Sequence, residues 1–214
     1  MRTHIRLMTA LVTAVFLGAA ASSPAIADTQ TTVPTWEKAQ ALTGSAGSLW
    51  KPTFTAGLPL KGRITVVDGQ QGDGSRAMAV QARYAKGSRT MTVLENYKGT
   101  FSALDAEPNI AAELVGKPRI TVGNPDMQYT VRATVSANCY NVKAGADGSV
   151  PPPPDGFRCS RQDVAKFGGT LTVTMRPAST MTAPGTTFVT IQVSPGITYD
   201  QLISTVQGLV QIGP

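Results

Sequence analysis

The chain has 214 residues, only 15% of them charged, and a formal net charge of +6. Its one histidine is His4 and its only cysteines are Cys139 and Cys159. These counts exclude a Ser-His-Asp triad, a Cys-His pair and a histidine-bearing zinc site from everything after residue 4, and the lack of a concentrated cationic run argues against nucleic acid as a partner.

The first 27 residues read as a secretory signal peptide. Arg2 and Arg6 make a basic start, residues 7–21 are mostly apolar and small, and Ala25-Ile26-Ala27 fits an A-x-A cleavage site. Cleavage between Ala27 and Asp28 would remove His4 and two arginines, leaving 17 basic against 13 acidic residues. That residual charge permits a weak attraction to anionic envelope polymers. No later stretch is long and apolar enough to span a bilayer, so the mature chain is expected outside the cytoplasm without a transmembrane segment. In an oxidising compartment two cysteines most simply form one disulfide, Cys139 to Cys159.

Residues 28–61 read as a polar, partly flexible lead holding one short helix. Thr35 would cap it, Trp36, Ala39 and Leu42 would form its apolar side, and the glycines at 44 and 47 would end it. Residues 62–214 read as a single domain. Three strands, 63–67, 77–85 and 89–97, are joined by short glycine-bearing connections, the pattern of antiparallel hairpins. Segments 101–104 and 109–115 are expected to be helical, the second with Ile110, Leu114 and Val115 as its apolar residues. A short strand over 118–122 leads into a turn at 123–126.

The clearest strand signals flank the cysteines. Tyr129, Val131, Ala133, Val135 and Ala137 alternate with Thr130, Arg132, Thr134 and Ser136, so one face meets a core and the other meets water. Leu171, Val173 and Met175 alternate with threonines in the same way. Between them lies a loop with four consecutive prolines at 151–154. The run reads as a stiff spacer, with docking into an aromatic groove as the functional alternative. Ser160 and Asp163 mark the start of a short helix that Gly168-Gly169 ends. After a last strand over 186–193, Thr198-x-x-Gln201 forms a capping box. Tyr199, Leu202, Ile203, Val206, Leu209 and Val210 then follow at helical spacing, with Gly208 inside the helix to allow close packing. The fold class expected is α+β, a mostly antiparallel sheet of about six or seven strands with a C-terminal amphipathic helix packed on one face.

The chemistry left open is carboxylate, Ser/Lys or tyrosine chemistry. Ser48-Leu49-Trp50-Lys51 has the letters of S-x-x-K, but that motif needs a helix and Pro52 follows at once. Asp68 and Asp73 flank a glycine-rich loop without the acid spacing of a calcium site, and read as turn residues. Glu95, Glu107 and Glu113 are the candidate carboxylates for an acid/base pair. Glu95 shares a strand face with Met91, Val93 and Tyr97 and should be partly buried. The function expected is an exported, non-enzymatic protein that binds an unidentified ligand or envelope component. The site would be an apolar concavity between helix and sheet, rimmed by the proline loop. No catalytic residue, cofactor or metal is assigned. The alternatives are a carboxylate-dependent secreted hydrolase and a structural or interaction module with no small-molecule site.

Overall fold

A computed structural model of the chain describes residues 29–43, 49–70, 76–97, 111–124, 127–140, 151–175 and 187–212. The signal-peptide reading, the helix expected over 101–104, Ser48, Asp73 and Glu107 lie outside them. Among the described residues no helix is long and apolar enough to cross a membrane.

Among the described residues, eleven strands and three short helices follow one another. They are β1 (Thr29–Val33), α1 (Trp36–Thr43), β2 (Leu49–Pro52), β3 (Ile64–Gln70), β4 (Arg76–Lys86), β5 (Arg89–Tyr97), β6 (Ala111–Gly116), β7 (Arg119–Asn124), β8 (Met127–Tyr140), α2 (Arg161–Phe167), β9 (Gly169–Met175), β10 (Thr187–Val193), α3 (Tyr199–Gln207) and β11 (Leu209–Ile212). Nine strands form one sheet in the order β1-β3-β4-β5-β10-β9-β8-β6, with β7 also paired to β8, while β2 and β11 form a separate two-stranded ribbon. Every pairing is antiparallel. The α+β class and the antiparallel sheet are as expected, but the sheet is larger than six or seven strands.

The extra strands come from segments with weak local signals. β1 is TQTTV, polar and almost wholly exposed; its ladder with β3 holds it, helped by Arg63, whose guanidinium donates to the Thr32 carbonyl at 3.2 Å, and by Val33 packed against the core. β6 replaces the helix expected over 109–115. Its residues favour helix, but pairing with β8 decides the outcome, with register shifts along the way. β6 and β7 then run along one edge of β8. Gly116 faces Val135, the Pro118 carbonyl accepts from the Ala133 amide at 3.0 Å, and Arg119 faces Arg132. The strand is split there because proline has no N–H to give the ladder. The segment 28–61, expected as a polar lead, carries β1, α1 and β2, and it buries Trp36 and Trp50 at 3% and 1% exposure.

Strand alternation places one face of the sheet inward. Val66, Val80, Val93, Ile191, Leu171 and Val135 are all buried there. The C-terminal helix covers that face, but it ends sooner than its apolar pattern predicts. Thr198 and Gln201 close the capping box, and Leu202 and Val206 are fully buried. Tyr199 reaches Gly116 of β6, where an added Cβ would lie 3.6 Å from its hydroxyl, and the Thr205 hydroxyl lies 3.9 Å from Met91 Sδ of β5. So α3 crosses the middle of the sheet. Gly208 sits at the helix end, not its interior. Its carbonyl accepts from the Thr53 amide at 2.8 Å and the Thr53 hydroxyl at 2.7 Å, and a Cβ there would come within 2.8 Å of Thr53 Oγ1. Leu209 and Val210 therefore belong to a strand that pairs with β2. The helical spacing runs on through them because i, i+3 and i+7 positions cannot register where a helix stops.

Cys139 at the end of β8 and Cys159 before α2 form the expected disulfide, with Cα atoms 6.0 Å apart. Two further contacts hold the loop beside it. The Tyr140 and Phe157 rings meet edge to face at 5.2 Å, and the Tyr140 hydroxyl donates to the Pro152 carbonyl at 2.9 Å. In α2, the Asp163 carboxylate accepts from both the amide and the hydroxyl of Ser160, each at 2.7 Å. Gly168 then turns the chain at φ 81°, where a Cβ would come within 2.5 Å of the Val193 carbonyl. Replacing both cysteines by alanine is expected to cost about 3 kcal/mol, the usual entropy of a loop this long. Thermal unfolding checks it, and an unchanged melting temperature would contradict a constraining role for the bridge.

Candidate functional site

Glu95 is the most unusual side chain in the core. It lies on β5 between Val80 and Val189, on the inward face, and is 1% exposed. The backbone amide of Trp50 on β2 donates to both of its oxygens, at 3.1 and 3.0 Å. The carboxyl thereby anchors the β2–β11 ribbon to the sheet. Burial pushes its pKa well above the ordinary 4.5, and the Trp50 amide offsets only part of that shift. Close by, the Trp36 indole donates to the Tyr84 hydroxyl at 2.8 Å. Burial raises the Tyr84 pKa, the Trp36 bond opposes that, and the charge of Glu95 adds to it.

Of the other sequence candidates, those among the described residues do not gather around Glu95. Glu113 lies on β6, four positions along the sheet from β5. Three strands, β10, β9 and β8, stand between the two in the sheet, so they are not placed on neighbouring strands. Lys51 is on a strand, not the helix that S-x-x-K requires, and its ammonium pairs with Glu37 at 2.8 Å on the exposed side. Asp68 sits in the ladder of β3, facing Thr29 and Met78, and not in a loop. The space between helix and sheet, expected to offer a concavity, is filled by Leu202 and Val206 of α3 and by Leu209 of β11, all at 0% exposure.

The outward face is chemically distinct. One row across the ladders reads Thr65, Gln81, Leu94, Thr190, Thr172 and Thr134. The next reads Arg83, Thr92, Gln192, Thr170 and Ser136. A small apolar cluster of Val67, Ala79 and Leu94 lies toward the β3–β5 side. The face opens toward β7 and β8, where Thr121, Thr130 and Thr134 are exposed beside Lys117, Arg119 and Arg132. No described side chain on this face is acidic. Sequence reasoning placed Arg132 on a solvent face but missed its partner. The signal was the turn expected at 123–126, and the β7–β8 register sets Arg119 opposite Arg132.

The chain matches no known family model, no curated protein and no solved structure.

The buried carboxyl makes a stability prediction. Its folded pKa lies above its unfolded value, so the native state holds the proton more tightly. Its contribution to stability is complete below about pH 4.5 and is lost as pH rises through the folded pKa. Glu95→Gln keeps an acceptor for the Trp50 amide and cannot ionise. Its melting temperature at pH 7 is expected to exceed that of the wild type, with the difference vanishing toward pH 4.5. Paired melts from pH 4 to 8 check this, and a variant less stable at every pH would contradict it.

Proposed function

We propose that the protein is exported and acts by binding a component of the cell envelope or its surroundings, without turning it over. Export rests on the Ala25-Ile26-Ala27 site, and the buried Cys159 in its disulfide is compatible with an oxidising compartment. One observation carries the binding reading. The inward face of the sheet is filled by apolar side chains, whereas the outward face presents rows of hydroxyl and amide groups across neighbouring strands. Such a face offers donors and acceptors at fixed spacing on a rigid support, which suits recognition of a hydroxyl-rich ligand. The proline loop, fixed at Cys159 and Tyr140, lies at the end of β8 and could serve as a rim.

The hydrolase alternative draws on Glu95, Glu107 and Glu113, of which Glu95 has a raised pKa that would suit a general acid. The burial of Glu95 under β2 and the three strands between it and β6 in the sheet weigh against that role. The testing experiment pairs a hydrolase screen with thermal-shift measurements against envelope glycans and lipids, on the mature protein. The expected outcome is a ligand-dependent rise in melting temperature with no turnover. Turnover abolished by Glu95→Gln would replace binding with hydrolysis, and neither turnover nor a shift would favour a structural module.

A further inference from the structure

Arg119 of β7 and Arg132 of β8 face each other directly in an antiparallel ladder, and both are exposed on the outward face. Opposed residues in such a ladder have Cα atoms about 4.5–5.5 Å apart. Like charges set directly opposite destabilise a strand pair. Nothing described relieves this one. Neither arginine has a hydrogen bond or ion pair among the described residues, and no described side chain on the face is acidic. The supporting sheet is well fixed. Ile120 and Val122 of β7 and Val131 of β8 alternate with these residues and are buried on the opposite face.

The neighbours extend the pattern. Lys117 precedes Arg119 by two residues and is exposed, which adds a third cation to the row. On the far side, Thr121 faces Thr130, so a pair of hydroxyls follows the pair of guanidinium groups. Two residues along a strand span about 6.7 Å. A guanidinium fork matches a carboxylate with two parallel hydrogen bonds, and hydroxyls match the hydroxyls of a sugar ring.

We infer that the Arg119–Arg132 pair, with Thr121 and Thr130 beside it, is a docking surface for an acidic polysaccharide whose sugar carboxylates bridge the two guanidinium groups. Carboxylate charge removes the repulsion of the opposed arginines, while the adjacent hydroxyls favour a sugar polymer over a bare polyanion. The inference rests on the binding function proposed above and gives that binding a place and a ligand class.

The test is calorimetric titration of the mature protein with polygalacturonate at two salt concentrations. Dextran serves as the neutral polymer and polyphosphate as the anion without sugar. Arg119→Gln/Arg132→Gln is compared with Lys38→Gln/Lys61→Gln, which removes the same charge from exposed positions elsewhere. Polygalacturonate is expected to bind in a salt-sensitive way, and the arginine variant to lose at least about tenfold in affinity, the equivalent of one charged hydrogen bond. The lysine variant is expected to lose less than about threefold, since screened charges far from the site act weakly. Arg119→Lys/Arg132→Lys keeps the charge without the fork and should fall between wild type and the glutamine variant. At low salt, the ligand-free glutamine variant should melt at or above the wild-type temperature. Equal losses in the arginine and lysine variants, polyphosphate binding as tight as polygalacturonate, or binding to dextran alone would each overturn the assignment. So would no binding at all, or a lower melting temperature for the ligand-free glutamine variant. Hydrolysis of polygalacturonate would refute the non-enzymatic reading separately, leaving the contribution of the arginines to be read from affinity.

Discussion

Truncation of Trp50 to alanine is expected to lower stability by about 3–5 kcal/mol, the range for deleting a large buried aromatic side chain. For a domain of this size that is about 6–20 °C in melting temperature. Trp50 is 1% exposed although it sits in a four-residue strand outside the main sheet. Its amide is bonded to Glu95 and its strand to β11, so its ring is held in the core from both sides. Alanine keeps the amide and the ladder and removes only the ring. The measurement therefore isolates packing, and a melting temperature within 2–3 °C of the wild type would show that residues 28–61 contribute little to the core.

Leu202→Ala is the second large effect, at about 2–5 kcal/mol. Leu202 is fully buried on α3, where the helix crosses from β6 to β5. The loss should be matched by Leu209→Ala, which is equally buried but lies on β11. Leu202→Ala should weaken α3 alone, and Leu209→Ala should also loosen the ribbon that Glu95 anchors. Hydrogen exchange separates the two: faster exchange at Trp50 is expected in Leu209→Ala and not in Leu202→Ala. Unchanged stability in both variants would mean that the helix and ribbon do not close the inward face.

These effects fall on elements of unequal legibility. The strands β4, β5, β8, β9 and β10 are readable because their alternation is strong and each has one buried face. The capping box of α3 is readable because Thr198 and Gln201 satisfy local amides that any helix start must satisfy. The strands β1, β6 and β11 are not. TQTTV has no apolar face, AAELVG favours helix until β8 pairs with it, and LVQI prolongs the helical spacing past Gly208. In each, a distant ladder decides the conformation, and a ladder leaves no local trace. Glu95 was legible as a residue on an apolar face, but its anchoring of Trp50, 45 positions away, was not. The Arg119–Arg132 pair needed the register of a hairpin and not only its polar face.

The central claim is that recognition takes place on the outward face of the sheet. Methyl-resolved NMR during titration with oligogalacturonate tests it most directly, because strand alternation supplies internal controls. Thr130, Thr134 and Thr172 point outward, and Val131, Val135 and Val173 point inward from the same strands. The account predicts concentration-dependent shifts of the threonine methyls, largest at Thr130 and Thr134, with the valine methyls nearly still. Shifts led by Val131, Val135 and Val173, or by Leu202 and Val206 of α3, would place the ligand under the helix and contradict it.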